Sequence, residues 1–375
     1  MIMMSQFESS TKQVPSSEPL FTSLKPHKLA DKEVSSSIST GMLSGTSQNI
    51  KLILLFTIFS AVCSLAQAFT LPGPIVSADW LAKNKSHVQI IEVANNLDSF
   101  MSLPGKDQTP QVVKRVVVDF GGHIEGSILM DFSTARVERV ISGKKVNFMI
   151  PSQADFQKIV QSAGVNTGKP IVLVPFGLNS ADIDEALRIL WQFKVYGEDN
   201  ISILDGGLTG WLAEGKATTH AHIIRQKGNW ATKGYRSEFV ATSEDVANAN
   251  AKASAKHKTQ LVDARIPAQY SGETKLEVVR GYGRIEGAKN FAPEFMTRSA
   301  NGAIYFLARK DLEANFYANG INPIAPSISY CNTGTEAAST WFIMHEVFGS
   351  PSAKMYDGAV NLWAIQGRPL LVSLN

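Results

Sequence analysis

The stretch LDGGLTGWLAEGK at residues 204–216 returns near the C-terminus as YDGAVNLWAIQGR at residues 356–368. The two superimpose without a gap, so that Asp205, Gly206, Trp211 and Gly215 fall on Asp357, Gly358, Trp363 and Gly367. Three more blocks recur upstream in the same order. GHIEGS from Gly122 matches GRIEGA from Gly283, SAGVNTGKPIVLVP from Ser162 matches ANGINPIAPSISYC from Ala318, and IIEVANN from Ile90 matches LVDARIP from Leu261. A long-period repeat of this kind marks two copies of one structural unit.

Each copy alternates short apolar runs with segments whose apolar residues recur at three and four. VQIIEV and TQLVDA, PIVLVP and SISY, and NISILDG and AKMYDG read as strands, while residues 152–163, 182–196 and 336–348 read as helices. Such alternation predicts an α/β fold in which each copy is a parallel sheet with helices on both faces. Residues 217–239 are polar and follow neither period, so they read as a linker. The expected organisation is an N-terminal extension and signal peptide at 1–68, a first domain at 75–216, the linker at 217–239 and a second domain at 240–372.

Composition fits this plan. The chain has 375 residues, 44% hydrophobic and 18% charged, enough for one or two sizeable cores. Its net charge of +3 is spread along the chain, which argues against a nucleic-acid surface. No HExxH, paired-cysteine motif or histidine cluster is present.

The run LILLFTIFSAVCSLAQA at residues 52–68 has the length of a signal-peptide core and is short for a membrane span of roughly 20 residues. Lys51 gives a thin basic flank, Ala66, Gln67 and Ala68 form a small-x-small cleavage site, and a start at Met42 would give an ordinary leader. These features predict export to the periplasm or medium, with cleavage after Ala68 and no stable membrane association afterwards. An uncleaved anchor helix is the alternative. Cys63 departs with the leader, leaving Cys331 as the single thiol, with no internal disulfide to form.

Cys331 closes the apolar run SISY and is followed by NTGTE and a helical segment. In the repeat alignment it falls opposite Pro175, so the thiol is built into one copy only. In open α/β sheets, ligands bind beyond the carboxyl ends of the strands. There the backbone N–H groups of a turn made by Gly334, together with a helix N-terminus, are expected to stabilise a thiolate. Such settings lower a cysteine pKa from about 8.5 to roughly 3.5–7.5. The competing reading is an inert buried cysteine. A phosphatase loop of the form C-x5-R is a poor alternative, since Ala337 occupies the position of its arginine and the phosphate clamp is missing.

The order of blocks, and above all YCNTGTEAASTWF with MYDGAVNLW, resembles the tandem-domain rhodanese family of thiosulfate and 3-mercaptopyruvate sulfurtransferases. The resemblance runs from about Ile75 to Leu370. The family's C-x-x-G-x-x-A loop is matched by Cys331, Gly334 and Ala337, its G-[HR]-I-x-G-A-x-N signature by GRIEGAKN, and its strand-end motif by DARIPAQYSG from Asp263. The resemblance implies two rhodanese-like domains and a two-step transfer. The Cys331 thiolate would take a sulfane sulfur from a small anionic donor, thiosulfate or 3-mercaptopyruvate, and pass it to a thiophilic acceptor such as cyanide. The loop Asn332, Thr333, Gly334, Thr335 and Glu336 would bind the anions, with no metal or cofactor. Asp263 and Arg265 would either meet the donor or form an ion pair behind the loop. Two departures bear on the donor. Asn332 and Thr333 stand where thiosulfate-preferring members carry basic residues, and Gln269 stands where they carry an arginine before Tyr270. Glu336 adds a negative charge, leaving Lys275, Arg280 and Arg284 as candidate compensating cations. The alternative to an enzyme is a non-catalytic binding module or sulfur carrier on the same fold.

Overall fold

The computed structural model describes residues 69–94, 112–113, 116–117, 122–221, 226–251 and 259–373, and Gln67–Asn375 forms one compact unit. The apolar run at 52–68 and the expected cleavage after Ala68 lie outside the described residues. Among the described residues, no helix is long and apolar enough to cross a membrane, and no group of three His, Cys, Asp or Glu is placed to hold a metal ion.

The first half runs β1 (Ile75–Val76), α1 (Ala78–Asn84), β2 (Gln89–Ala94), β3 (Ile128–Asp131), a hairpin of β4 (Val137–Ile141) and β5 (Lys144–Met149), and α2 (Gln153–Ala163). It continues through β6 (Ile171–Pro175), α3 (Ser180–Val195), β7 (Ile201–Leu204) and α4 (Gly207–Ala213). The second half runs α5 (Ser243–Ala251), β8 (Gln260–Asp263), α6 (Pro267–Ser271), β9 (Lys289–Asn290) and a hairpin of β10 (Thr297–Ala300) and β11 (Ala303–Phe306). It closes with α7 (Arg309–Ala318), β12 (Ser327–Tyr330), α8 (Glu336–Phe342), β13 (Ala353–Met355) and α9 (Ala359–Ile365).

Both main sheets are parallel, with strand orders β1-β7-β6-β2-β3 and β9-β8-β12-β13. Val240 bridges Met355 in parallel, in the place that β1 takes beside β7 in the first half. The halves therefore share one topology. Their registers agree as well: Glu92 pairs with Val174 on β6, and Asp263 pairs with Tyr330 on β12. Pro175 and Cys331 accordingly occupy the same place, at the carboxyl edge.

Alternation along the strands sorts side chains to the two faces. Ile91, Val93, Leu173 and Ile203 point into a core with α2 and α3, while Ile90, Val172, Val174 and Leu204 point under α1 and α4. In the second half, Leu261, Ile328 and Tyr330 form an outer core with Val246 of α5 and Trp363 of α9. The other face of the second sheet does not have a core of its own. Val262, Met355 and the α8 residues Ala338, Trp341 and Phe342 join the α3 core of the first half, so α3 and α8 lie back to back in one apolar interior.

The hairpins tie the halves together reciprocally. Asp205, in the first copy of the DG motif, accepts the Phe306 N–H at 2.9 Å, and Asp357, in the second copy, accepts the Ile150 N–H at 2.9 Å. Helix α3 begins two residues before the expected 182 because Asn179 and Asp182 form a capping box. The helix expected across 336–348 changes character at Ile343–Val347, a π-helical turn where His345 stacks on Trp341. Residues 226–239 pack as a strap, with Trp230 buried edge-on against Phe156 and Phe193.

Candidate active site

Cys331 follows the last residue of β12, and its side chain is fully buried. The loop it opens is fixed from several sides. The N–H groups of Val360 and Asn361, in the first turn of α9, donate to the carbonyls of Cys331 and Asn332 at 3.0 and 3.1 Å. The Gly334 N–H donates to the Cys331 Sγ at 3.0 Å, and the amides of Thr333 and Ala337 also act on the sulfur. Gly334 has φ +82°, and a Cβ there would meet the Arg188 guanidinium at 2.6 Å. Both its conformation and its neighbour therefore require glycine.

Asn332 is buried, and its amide donates to the Gln269 Oε1 at 2.7 Å. Thr333 and Thr335 are half-buried, and the Thr335 hydroxyl accepts from Arg136 Nη1 at 3.1 Å. Glu336 opens α8, and its carboxylate acts on the sulfur through both charge and a hydrogen bond.

The expectation of a depressed thiol pKa is not met. Burial pushes the Cys331 thiol well above the ordinary cysteine value, and the Glu336 carboxylate pushes it further, while the Ala337 and Thr333 amides pull the other way. The amide cradle is present, but the loss of water and the adjacent anion outweigh it. Cys331 rests as a thiol in this closed arrangement.

Asp263 and Arg265 form a buried ion pair behind the loop. The Asp263 carboxylate accepts from Arg265 Nε at 2.9 Å and Nη2 at 2.6 Å, and Nη2 also donates to the Gly283 carbonyl at 2.9 Å. Burial works to lower the Arg265 pKa, but the bonds and charge of Asp263 raise it overall. Of the two roles open at the sequence level, the ion pair is the one the geometry takes. Two of the other candidate cations are engaged elsewhere: Arg284 donates to the Tyr270 carbonyl and the Ser373 hydroxyl, and Lys275 lies over the Tyr282 ring.

Sequence reasoning missed the first half's contribution. Arg188 of α3, fully buried, pairs with Asp357 and donates to the Gly334 carbonyl at 3.1 Å. Next to it, Asp184 accepts from the Ser339 hydroxyl of α8, and burial raises its pKa well above the usual carboxylate range. The signal was present as a polar stripe at Asp184, Arg188 and Gln192, spaced by four along α3. All three are buried.

Residues 246–366 match the family of rhodanese-like domains. The chain is similar to a Haloferax volcanii protein named "Putative thiosulfate sulfurtransferase", at 26% identity over 306 residues, covering 79% of this chain and 95% of the relative. It is also similar to the 3-mercaptopyruvate sulfurtransferase of Escherichia coli, at 26% identity over 292 residues, covering 77% and 94%. Among solved structures, the Escherichia coli 3-mercaptopyruvate sulfotransferase SseA aligns with a TM-score of 0.58 and 24% identity over 76% of this chain and 98% of that one. The anaerobic ergothioneine biosynthesis enzyme of Chlorobium limicola aligns with a TM-score of 0.63 and 18% identity over 80% and 71%. These two likenesses bear on the fold alone. Residues 246–366 thus carry a rhodanese-like domain, and over most of its length the chain is similar to proteins named as thiosulfate and 3-mercaptopyruvate sulfurtransferases.

Proposed function

We propose that the protein is a sulfurtransferase that carries sulfur as a Cys331 persulfide. The observation supporting this most directly is a lone sulfur at the carboxyl edge of the sheet, receiving the Gly334 N–H at 3.0 Å. With thiosulfate, Cys331 gives up its thiol proton and its sulfur attacks the outer sulfur of the donor; the donor's S–S bond breaks, and sulfite leaves with the electron pair and takes up the proton. With 3-mercaptopyruvate the C–S bond breaks, and pyruvate leaves as its enolate and takes up a proton. Cyanide or a thiol then attacks the outer sulfur of the persulfide and restores the thiolate. The loop amides are aimed where negative charge sits in both steps.

Cys331→Ser tests this directly. After incubation with thiosulfate or 3-mercaptopyruvate, the wild type is expected to gain the mass of one sulfur atom and to lose it to cyanide. The serine variant should fold and do neither, because its hydroxyl is not thiophilic. Complete burial of Cys331 and its raised pKa favour a second reading, a sulfur carrier or binding module that opens only to a partner. A wild type that takes sulfur from neither donor at any pH where it stays folded would leave that second reading standing.

A further inference from the structure

An anionic donor needs a cation near Cys331, and residues 332–336 supply none. Arg265 and Arg188 are buried and committed to Asp263 and Asp357. Arg136, which lies between β3 and β4 of the first half, is placed differently. It is half-buried, and only its Nη1 is engaged with the loop, donating to the Thr335 hydroxyl. Its Nε is buried without a hydrogen-bond partner. The guanidinium carbon lies 4.3 Å from the centre of the Phe132 ring and 4.9 Å from that of Phe148, so two aromatic faces hold the cation in place. Phe148 is 36% exposed and sits at φ +67°, an unusual conformation for a bulky residue. The charge of Arg136 is also felt at Cys331 and Glu336.

We propose that Arg136 binds the anionic end of the sulfur donor, supplying from the first half the charge that the Cys331 loop lacks. This rests on the sulfurtransferase reading and names the residue that selects its substrate class. The donor's sulfonate or carboxylate meets the guanidinium edge alongside Thr335, and its sulfur is presented to Cys331. A rigid planar fork suits either anion.

The test compares Arg136→Ala and Arg136→Lys with the wild type. In Arg136→Ala, the donor concentration giving half-maximal persulfide formation should rise about ten- to a hundred-fold, as expected for the loss of a hydrogen bond to a charged group. The saturating rate should change far less, and cyanide should strip a preformed persulfide as before. Arg136→Lys should recover part of the affinity. Sulfite binding to Cys331→Ser, followed by calorimetry with and without Arg136→Ala, gives a readout independent of turnover, and the added substitution should weaken it. Unchanged half-saturation and unchanged sulfite affinity would overturn the role of Arg136. A wild type that never loads sulfur would bring down the sulfurtransferase reading instead, and the sulfite measurement would still decide whether Arg136 binds the anion.

Discussion

The two halves place an acid at the same strand end and treat it in opposite ways. In the second half, Asp263 is matched by Arg265 two residues on, and the pair stands behind the Cys331 loop. In the first half the equivalent acid is Glu92, Ala94 takes the place of the arginine, and Pro175 takes that of the cysteine. Glu92 accepts the Ile124 N–H at 2.7 Å, and burial raises its pKa to about 8, so it is held neutral at pH 7. A cavity of about 10 Å³ remains beside it, lined by Pro175, Phe176 and Leu208, room for about one water molecule. Topology and register survived duplication, while the charge that supports chemistry survived in one copy. The reciprocal hairpin contacts differ in the same direction, because Asp357 forms a direct ion pair with Arg188 from across the interface, whereas Arg298 acts on Asp205 through its charge.

The largest test of this asymmetry is Arg188→Met. It strips the cation from a buried aspartate and leaves the Gly334 carbonyl without its donor, at a cost of about 3–5 kcal/mol in denaturant unfolding. Adding Asp357→Asn should recover much of that. A single variant as stable as the wild type would show that the ion pair does not hold the loop.

Glu92→Gln probes the inactive end. A folded-state pKa of about 8 against an ordinary 4.5 means that the unfolded chain releases this proton first. The resulting stability is full below about pH 4.5 and is lost as pH rises through about 8. The glutamine variant should flatten that decline and gain on the order of 2 kcal/mol at pH 8 relative to the wild type. Parallel pH profiles of thermal unfolding would contradict the picture of a neutral acid.

Glu336→Gln has the smallest expected effect and acts at the active end. Because the carboxylate raises the thiol pKa, its removal should move the rise of persulfide formation to lower pH. It should also speed loading from thiosulfate at neutral pH by a few-fold, worth about 1 kcal/mol. A profile that stays in place would remove Glu336 from the electrostatics of the sulfur.

The fold was legible because strand and helix periods, the repeat and the position of Cys331 are local or pairwise properties of sequence. The β2/β6 and β8/β12 registers reproduce the alignment of Pro175 with Cys331. Gly334 was legible for the same reason. Arg136 and Arg188 were not, because each reaches the loop from the other half of the chain, and a polar stripe on α3 reads as a face turned to water. The thiol pKa was misjudged on a related ground. A turn and a helix start are visible in sequence, but the depth of burial that outweighs them arises only when α3 closes over α8.

The shared interior of α3 and α8 makes the repeat boundary a poor place to cut. A gene fragment beginning near residue 240 would encode the thiol and its loop. It would also lay bare the face of α8 that Leu187, Leu190 and Trp191 help to enclose, and would lose both arginines that reach the loop. The two copies are mutually dependent, since their helices share one core. Each copy is now inherited as part of the other's solvent shield, and changes in the silent half are selected through the chemistry of its twin.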